Sequence, residues 1–141
     1  MALNEQFTLL KDSITSEIHD LDGVLIYMIE PGIMVSQYYR DVELNLELAL
    51  QIDHLGGQLA NGKAMPQLFL ACVGQTVTRE VRNWSASPEG AKHTLCTAVA
   101  CSSMAHKILG NFFIKVQKPQ RPTKMFSDVL TAKEWLISQI Q

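Results

Sequence analysis

The densest run of chemically capable side chains lies between His93 and His106. Its spacing, His93-x2-Cys96-x4-Cys101-x4-His106, has the intervals of a zinc knuckle with the ligand types permuted, and Cys and His are the ligands that tetrahedral zinc takes. The intervening Thr97-Ala98-Val99-Ala100 reads as buried strand, however, and a strand sends side chains five apart to opposite faces. A knuckle needs a glycine-permitted turn there, so no metal site is expected. Cys96 and Cys101 are read as small core hydrophobes, Cys72 as a third buried thiol, and His93 and His106 as lying near the strand ends. An odd cysteine count without a C-x-x-C pair fits a reducing compartment, which points to the cytoplasm.

Nucleophilic catalysis is the second chemistry to weigh, because Ser102 and Ser103 sit where strand turns into helix and His106 follows one turn later. A Ser/His hydrolase would also need an orienting partner, and nothing like a G-x-S-x-G elbow surrounds these serines. A helix N-cap accounts for Ser102 or Ser103 equally well. No G-x-x-x-x-G-K-[ST], G-x-G-x-x-G or paired-carboxylate motif is present, so no cofactor is expected and the chain is read as not an enzyme.

Anion binding without chemistry is the third. Two strand-to-helix junctions, Gly74-Gln75-Thr76-Val77-Thr78 and Ser102-Ser103, offer free backbone N–H groups where a helix begins, with cations within about a turn. The candidate ligand-binding residues are Thr76, Thr78, Arg79, Arg82, Ser102, Ser103 and Lys107. Ordinary capping by the threonines and serines explains the same residue types.

These residues need a scaffold. A chain of 141 residues is one domain by size, able to bury roughly two thirds of its unfolded surface. Val24–Ile29 and Ile33–Tyr39 are β-rich runs separated by Glu30-Pro31-Gly32, a hairpin with a Pro-Gly turn. Leu44, Leu48, Ile52, Leu55 and Leu59 then recur at helical spacing and stop at Asn61-Gly62. The apolar runs Leu68–Val73 and Leu95–Cys101 are what strands covered on both faces require. Between them Thr78–Ser87 is read as a short helix carrying Val81 and Trp84 inward. Met104, Ile108, Phe112 and Val116 form the next inward stripe. After Pro119 and Pro122, Lys124–Phe126 is a short strand, and Ser127 or Asp128 caps a last helix burying Ala132, Trp135, Leu136 and Ile140. Ahead of all this, Phe7, Leu10, Ile14, Ile18 and Leu21 mark a helix face, although Ile14–Leu21 also suits a strand. The fold class is α/β: a single domain with a mixed four- to five-stranded sheet, an opening antiparallel hairpin and covering helices. Residues 1–22 are read as an N-terminal helix or edge extension and 23–141 as the domain proper.

Composition narrows the partners. Charged residues are 18% of the chain and the net charge is −2, which excludes disorder and argues against a nucleic-acid binder. No membrane span or signal peptide is expected. The charge is unevenly spread: residues 1–40 and 41–62 each carry −4, whereas 63–141 carry +6, with no acidic residue between Glu89 and Asp128. Such a run suits an anionic ligand or an acidic face on another chain, or else a solvated face paired with the acidic half of the same fold.

The succession of elements, and above all the tail Ile108-Leu109-Gly110-Asn111-Phe112-Phe113 through Lys118-Pro119-Gln120-Arg121-Pro122-Thr123-Lys124-Met125-Phe126 to Ala132-Lys133-Glu134-Trp135-Leu136, resembles the small bacterial STAS-like proteins, relatives of sporulation anti-sigma-factor antagonists often labelled STAS/SEC14-like. The resemblance spans roughly Gly23 to Ile140, and the tail is its specific part. It implies a helix-covered sheet of four or five strands, no catalytic centre, and a regulatory or protein-interaction role in which a nucleotide, an anion or a lipid-like molecule is bound. The phosphorylated antagonists open a helix with an Asp-Ser-Ser-Gly turn. Here that turn reads Gly74-Gln75-Thr76-Val77-Thr78, so their phospho-switch is not inherited. The expectation is a non-enzymatic module of this type, with a carrier of a small apolar or lipid-like ligand as the alternative, its ligand lodged between the sheet and the Met104–Val116 helix. A homodimer is expected from the low charge and from an apolar edge at Leu25–Tyr27 and Ile33–Val35.

Overall fold

Runs rich in β-branched and other apolar residues either side of Pro31-Gly32 leave the chain little choice but to reverse there. In the computed structural model, which describes residues 3–140, β2 (Val24–Ile29) and β3 (Ile33–Tyr38) pair antiparallel from Val24 opposite Tyr38 to Ile29 opposite Ile33. Gly32 takes φ +122° in the turn, a conformation that L side chains rarely adopt. Ahead of the hairpin lie α1 (Leu3–Leu10), a 3-10 turn at Lys11–Ser13 and β1 (His19–Asp20). After it come β4 (Glu43–Leu44), α2 (Leu46–Leu59), β5 (Met65–Leu70), β6 (Thr76–Val77), α3 (Arg79–Ser85), β7 (Thr94–Ala100), α4 (Met104–Gln117), β8 (Thr123–Phe126) and α5 (Val129–Gln139).

The main sheet has six strands in the order β1-β2-β3-β5-β7-β8, antiparallel through β3 and parallel from β3 to β8. A separate parallel ladder joins β4 to β6. This exceeds the expected four or five strands because the N-terminal helical periodicity yields to the edge of β2. The helix stops at Leu10; Ile14 then bridges Ile29, and His19 and Asp20 pair with Ile26 and Leu25. The backbone N–H of Thr15 donates to Met28 O at 2.9 Å, and Met28 N–H donates to Ser16 Oγ at 2.8 Å. An open strand edge must be paired or protected, and this segment pairs it. The apolar edge expected at Leu25–Tyr27 and Ile33–Val35 is therefore absent: β2 and β3 are interior strands.

From β3 onward each strand is laid beside its predecessor in one direction. Crossovers of one hand then deposit their helices on one face, and α2, α3 and α4 share it. The opposite face is closed by α5 and α1 around Leu10, Ile29, Val35, Leu68, Ala98 and Leu136, all fully buried. Asp128 caps α5 by accepting from Thr131 N–H at 2.8 Å. Ala132 and Leu136 are buried as expected and Trp135 is half-buried, but Ile140 lies beyond the helix end and is exposed; the buried first-turn residue is Val129.

One polar pair interrupts this core. Tyr27 and Gln37 are both fully buried, and the Tyr27 hydroxyl donates to Gln37 Oε1 at 2.5 Å. Burial raises the Tyr27 pKa far above its ordinary value, so the phenol remains a donor. Tyr27→Phe removes that donor from a dry site and is expected to lower unfolding stability by about 1–3 kcal/mol, measured by urea denaturation.

Candidate ligand groove

Strand alternation assigns Met34 and Tyr38 of β3, Phe69 of β5, Val99 of β7 and Met125 of β8 to the face shared by α2, α3 and α4. Tyr38 and Phe69 stack with ring centroids 4.5 Å apart. At one side α2 seals this face, with Gly56 facing Met34. At the other side α4 comes close to β8 at Gly110, where an added Cβ would lie 2.5 Å from the Met125 side chain. Between these two contacts the helices do not close, and a largely apolar groove of about 510 Å³ runs across the sheet face. That volume is in the range of small-molecule sites.

The wall made by α4 differs from expectation. Met104, Ile108, Phe112 and Val116, read as an inward stripe, point outward at 67%, 62%, 64% and 57% exposure. The groove side is instead His106, Gly110, Phe113 and Ile114, with Leu109 at its margin and 65% exposed. An i, i+4 stripe identifies a helix face only when the remaining faces are polar. On α4 a second apolar set lies alongside, and the side chain that is missing at Gly110 decides which set approaches the sheet.

The two ends of the groove differ chemically. At the N-terminal ends of β5 and β7, Asp53 of α2 meets His93, with Oδ1 and Nδ1 3.3 Å apart. At the C-terminal ends lie Gln75, Thr76, Arg82, Cys101 and His106. Arg82 Nη1 donates to Val77 O at 2.6 Å. Gln75 is 5% exposed; its Oε1 accepts from Cys72 N–H at 3.2 Å, while its buried Nε2 has no hydrogen-bond partner among the described residues.

Of the residues singled out in the sequence, Thr76 and Arg82 line the groove, whereas Thr78, Arg79, Ser102, Ser103 and Lys107 do not. Thr78 Oγ1 caps α3 through Val81 N–H, and Ser103 Oγ caps α4 by accepting from His106 N–H at 3.3 Å. The serine thus engages the backbone of His106 and not its ring. Arg79 and Ser102 are exposed, and Lys107 Nζ donates to Ser127 Oγ at 2.6 Å. Sequence reasoning passed over Met34, Phe69, Val99 and Met125; the available signal was their alternation with the buried residues on the α5 side.

The cysteines separate as strand geometry requires. Cys96 belongs to the core under α5, Cys101 lines the groove, and burial pushes both thiols up. Among the described residues no three His, Cys, Asp or Glu side chains gather as metal ligands would. Nor does the basic tail pair with the acidic half: among the described residues, no lysine or arginine from 63 to 133 lies within 4 Å of a carboxylate.

A hairpin leading into parallel strands, with three crossover helices on one face and a terminal helix on the other, defines a STAS-like domain. The solved structure of an uncharacterized DUF3478-family protein with a SpoIIAA-like fold, from Shewanella loihica PV-4, superposes with a TM-score of 0.53 over 88% of this chain and 94% of its own, at 12% identity. Identity that low establishes likeness of fold alone. The chain itself belongs to the family described as Domain of unknown function (DUF7793), whose model matches residues 27–140. No curated protein matches the sequence. No helix among the described residues is long and apolar enough to cross a membrane.

Because Ser103 is a cap, Ser103→Ala is expected to lower stability by about 1 kcal/mol in denaturant titration, with the affinity of the groove for small apolar molecules unchanged.

Proposed function

We propose that this chain is a non-enzymatic regulatory module that takes a small, largely apolar ligand in the groove between the sheet and α4. The observation that carries this reading is the groove itself: apolar side chains of β3, β5, β7 and β8 that a closed core would cover face about 510 Å³ of space. A closed core would be packed at crystal-like density, and most of this volume would be filled. The STAS-like fold supports a regulatory or interaction role at the level of the fold. The strand-end residue types support binding in preference to catalysis, since Ser103 and Thr78 serve as caps. Three free thiols fit a reducing compartment, and we place the protein in the cytoplasm on that basis.

Naphthalene is a suitable neutral probe. In a 1H–15N NMR titration it is expected to shift the amides of Phe69, Val99 and Met125, with a dissociation constant of about 10–100 μM given the ceiling on affinity per ligand atom. Val99→Trp, which fills the groove, should abolish these shifts while the rest of the spectrum stays folded. Naphthalene that leaves the groove amides unmoved at saturation overturns the reading.

The interaction half of the role rests on the outward stripe of α4. Large apolar side chains exposed in one row, with Lys115 beside them, are unusual on a monomer's surface. With the β2–β3 edge paired, this stripe is where we place the homodimer contact. Light scattering after gel filtration should report a dimer for the native chain and a monomer for Phe112→Glu, a position that does not line the groove. A monomeric native chain at micromolar concentration would remove the dimer.

A further inference from the structure

Resting on the groove as a ligand site, we infer that its ligand is an apolar molecule carrying a carboxylate, and that Gln75 Nε2 holds the carboxylate at the end of the groove where β5 and β7 terminate.

Three observations converge there. First, Gln75 is 95% buried by its 5% exposure, lines the groove, and has a buried amide nitrogen with no acceptor among the described residues. Its orientation is settled, because Oε1 is already committed to Cys72 N–H, so flipping the amide would trade one unmet group for two. A buried donor without an acceptor costs the desolvation of that group, and a ligand oxygen in the groove relieves the cost.

Second, the surroundings of Gln75 are rich in donors. The Arg82 guanidinium reaches back to Val77 O, two residues from Gln75, with one of its nitrogens; it lines the groove and has no carboxylate within 4 Å among the described residues. His106, in the first turn of α4 after the neighbouring strand, lines the same groove.

Third, the one acidic side chain among the groove-lining residues, Asp53, is paired with His93 at the other end, the start of the parallel strands, where Lys63 also lines the groove. The length of β5 separates the ends, roughly 17 Å at 3.3 Å per residue. Gln75 and Arg82 place the carboxylate of such a molecule at their end, with its apolar body over Phe69 and Val99. An amine-headed molecule meets cationic and donor groups at that end and is disfavoured.

The test pairs 2-naphthoate with naphthalene, which share a body and differ by the carboxylate. In NMR titrations of the full chain, 2-naphthoate is expected to bind at least about tenfold more tightly than naphthalene, as a charge-assisted hydrogen bond allows, and to shift the Gln75 side-chain NH₂ signals. Gln75→Glu keeps an acceptor for Cys72 N–H and replaces the donor with a like charge, so it should reduce 2-naphthoate affinity at least tenfold and leave naphthalene binding unchanged. Should that variant fold poorly, the Gln75 NH₂ signals of the native chain decide alone. Equal affinities for the two probes with those signals unmoved overturn the carboxylate inference while the groove stands. Failure of both probes to bind overturns the groove and the inference together.

Discussion

The rule that parallel strands are joined by crossovers of one hand governs the rest of this structure. Because β3, β5, β7 and β8 are laid down in order across the sheet, three successive connections must place their helices on the same side. The remaining side receives α1 and α5 alone, and there the small residues of β7, Ala98 and Ala100, let α5 come close and exclude space. On the crowded side the helices are held by their strands and cannot slide into the gaps between them. An incompletely closed face follows from topology before any residue is chosen to bind anything.

Which gap remains open is a matter of individual side chains. Gly56 allows α2 to lie on Met34, and Gly110 allows α4 to meet Met125. Met34 and Met125 are unbranched and deformable, suited to filling irregular contacts. Between these seams the strands present Phe69 and Val99 to the groove. Its polar groups include Ser36, Gln67 and Thr97 within the strands and a second set at the strand ends, where the chain must turn and where donors are exposed in any sheet of this kind. The separation of an acid–imidazole pair at one end from Gln75 and Arg82 at the other follows from the parallel arrangement, which gathers all strand starts together and all strand ends together.

The stripe on α4 illustrates a limit of periodicity. Met104, Ile108, Phe112 and Val116 satisfy the spacing of a buried face, and the helix forms over that span, yet they point away from the sheet. Phe113 and Ile114, half-buried along the groove, compete for the same role. Hydrophobicity cannot rank two apolar faces; close approach can, and a glycine is the residue that permits it. The N-terminal segment shows a related limit. Its helical spacing runs to Leu21, but pairing the free edge of β2 satisfies backbone groups that a longer helix would leave bare, so the chain extends from Ile14.

Local patterning settled the hairpin and its turn, the end of α2, the strand character of Leu68–Leu70 and Leu95–Ala100, the capping of α3, α4 and α5, and the mixed α/β class, because each depends on neighbours within a few positions; it did not show that Leu44 belongs to β4, or that β5 begins at Met65 and stops short of the exposed Val73. The opposite facing of Cys96 and Cys101 also followed from strand geometry alone. Tertiary structure decided what no local pattern contains: that Thr76 and Arg82 share a groove with Gln75 while Arg79 and Lys107 do not, that α4 turns its Gly110 side inward, and that the donor of Gln75 is buried without an acceptor. These depend on which strands become neighbours, and neighbours far apart in the chain are chosen by the packing of whole elements.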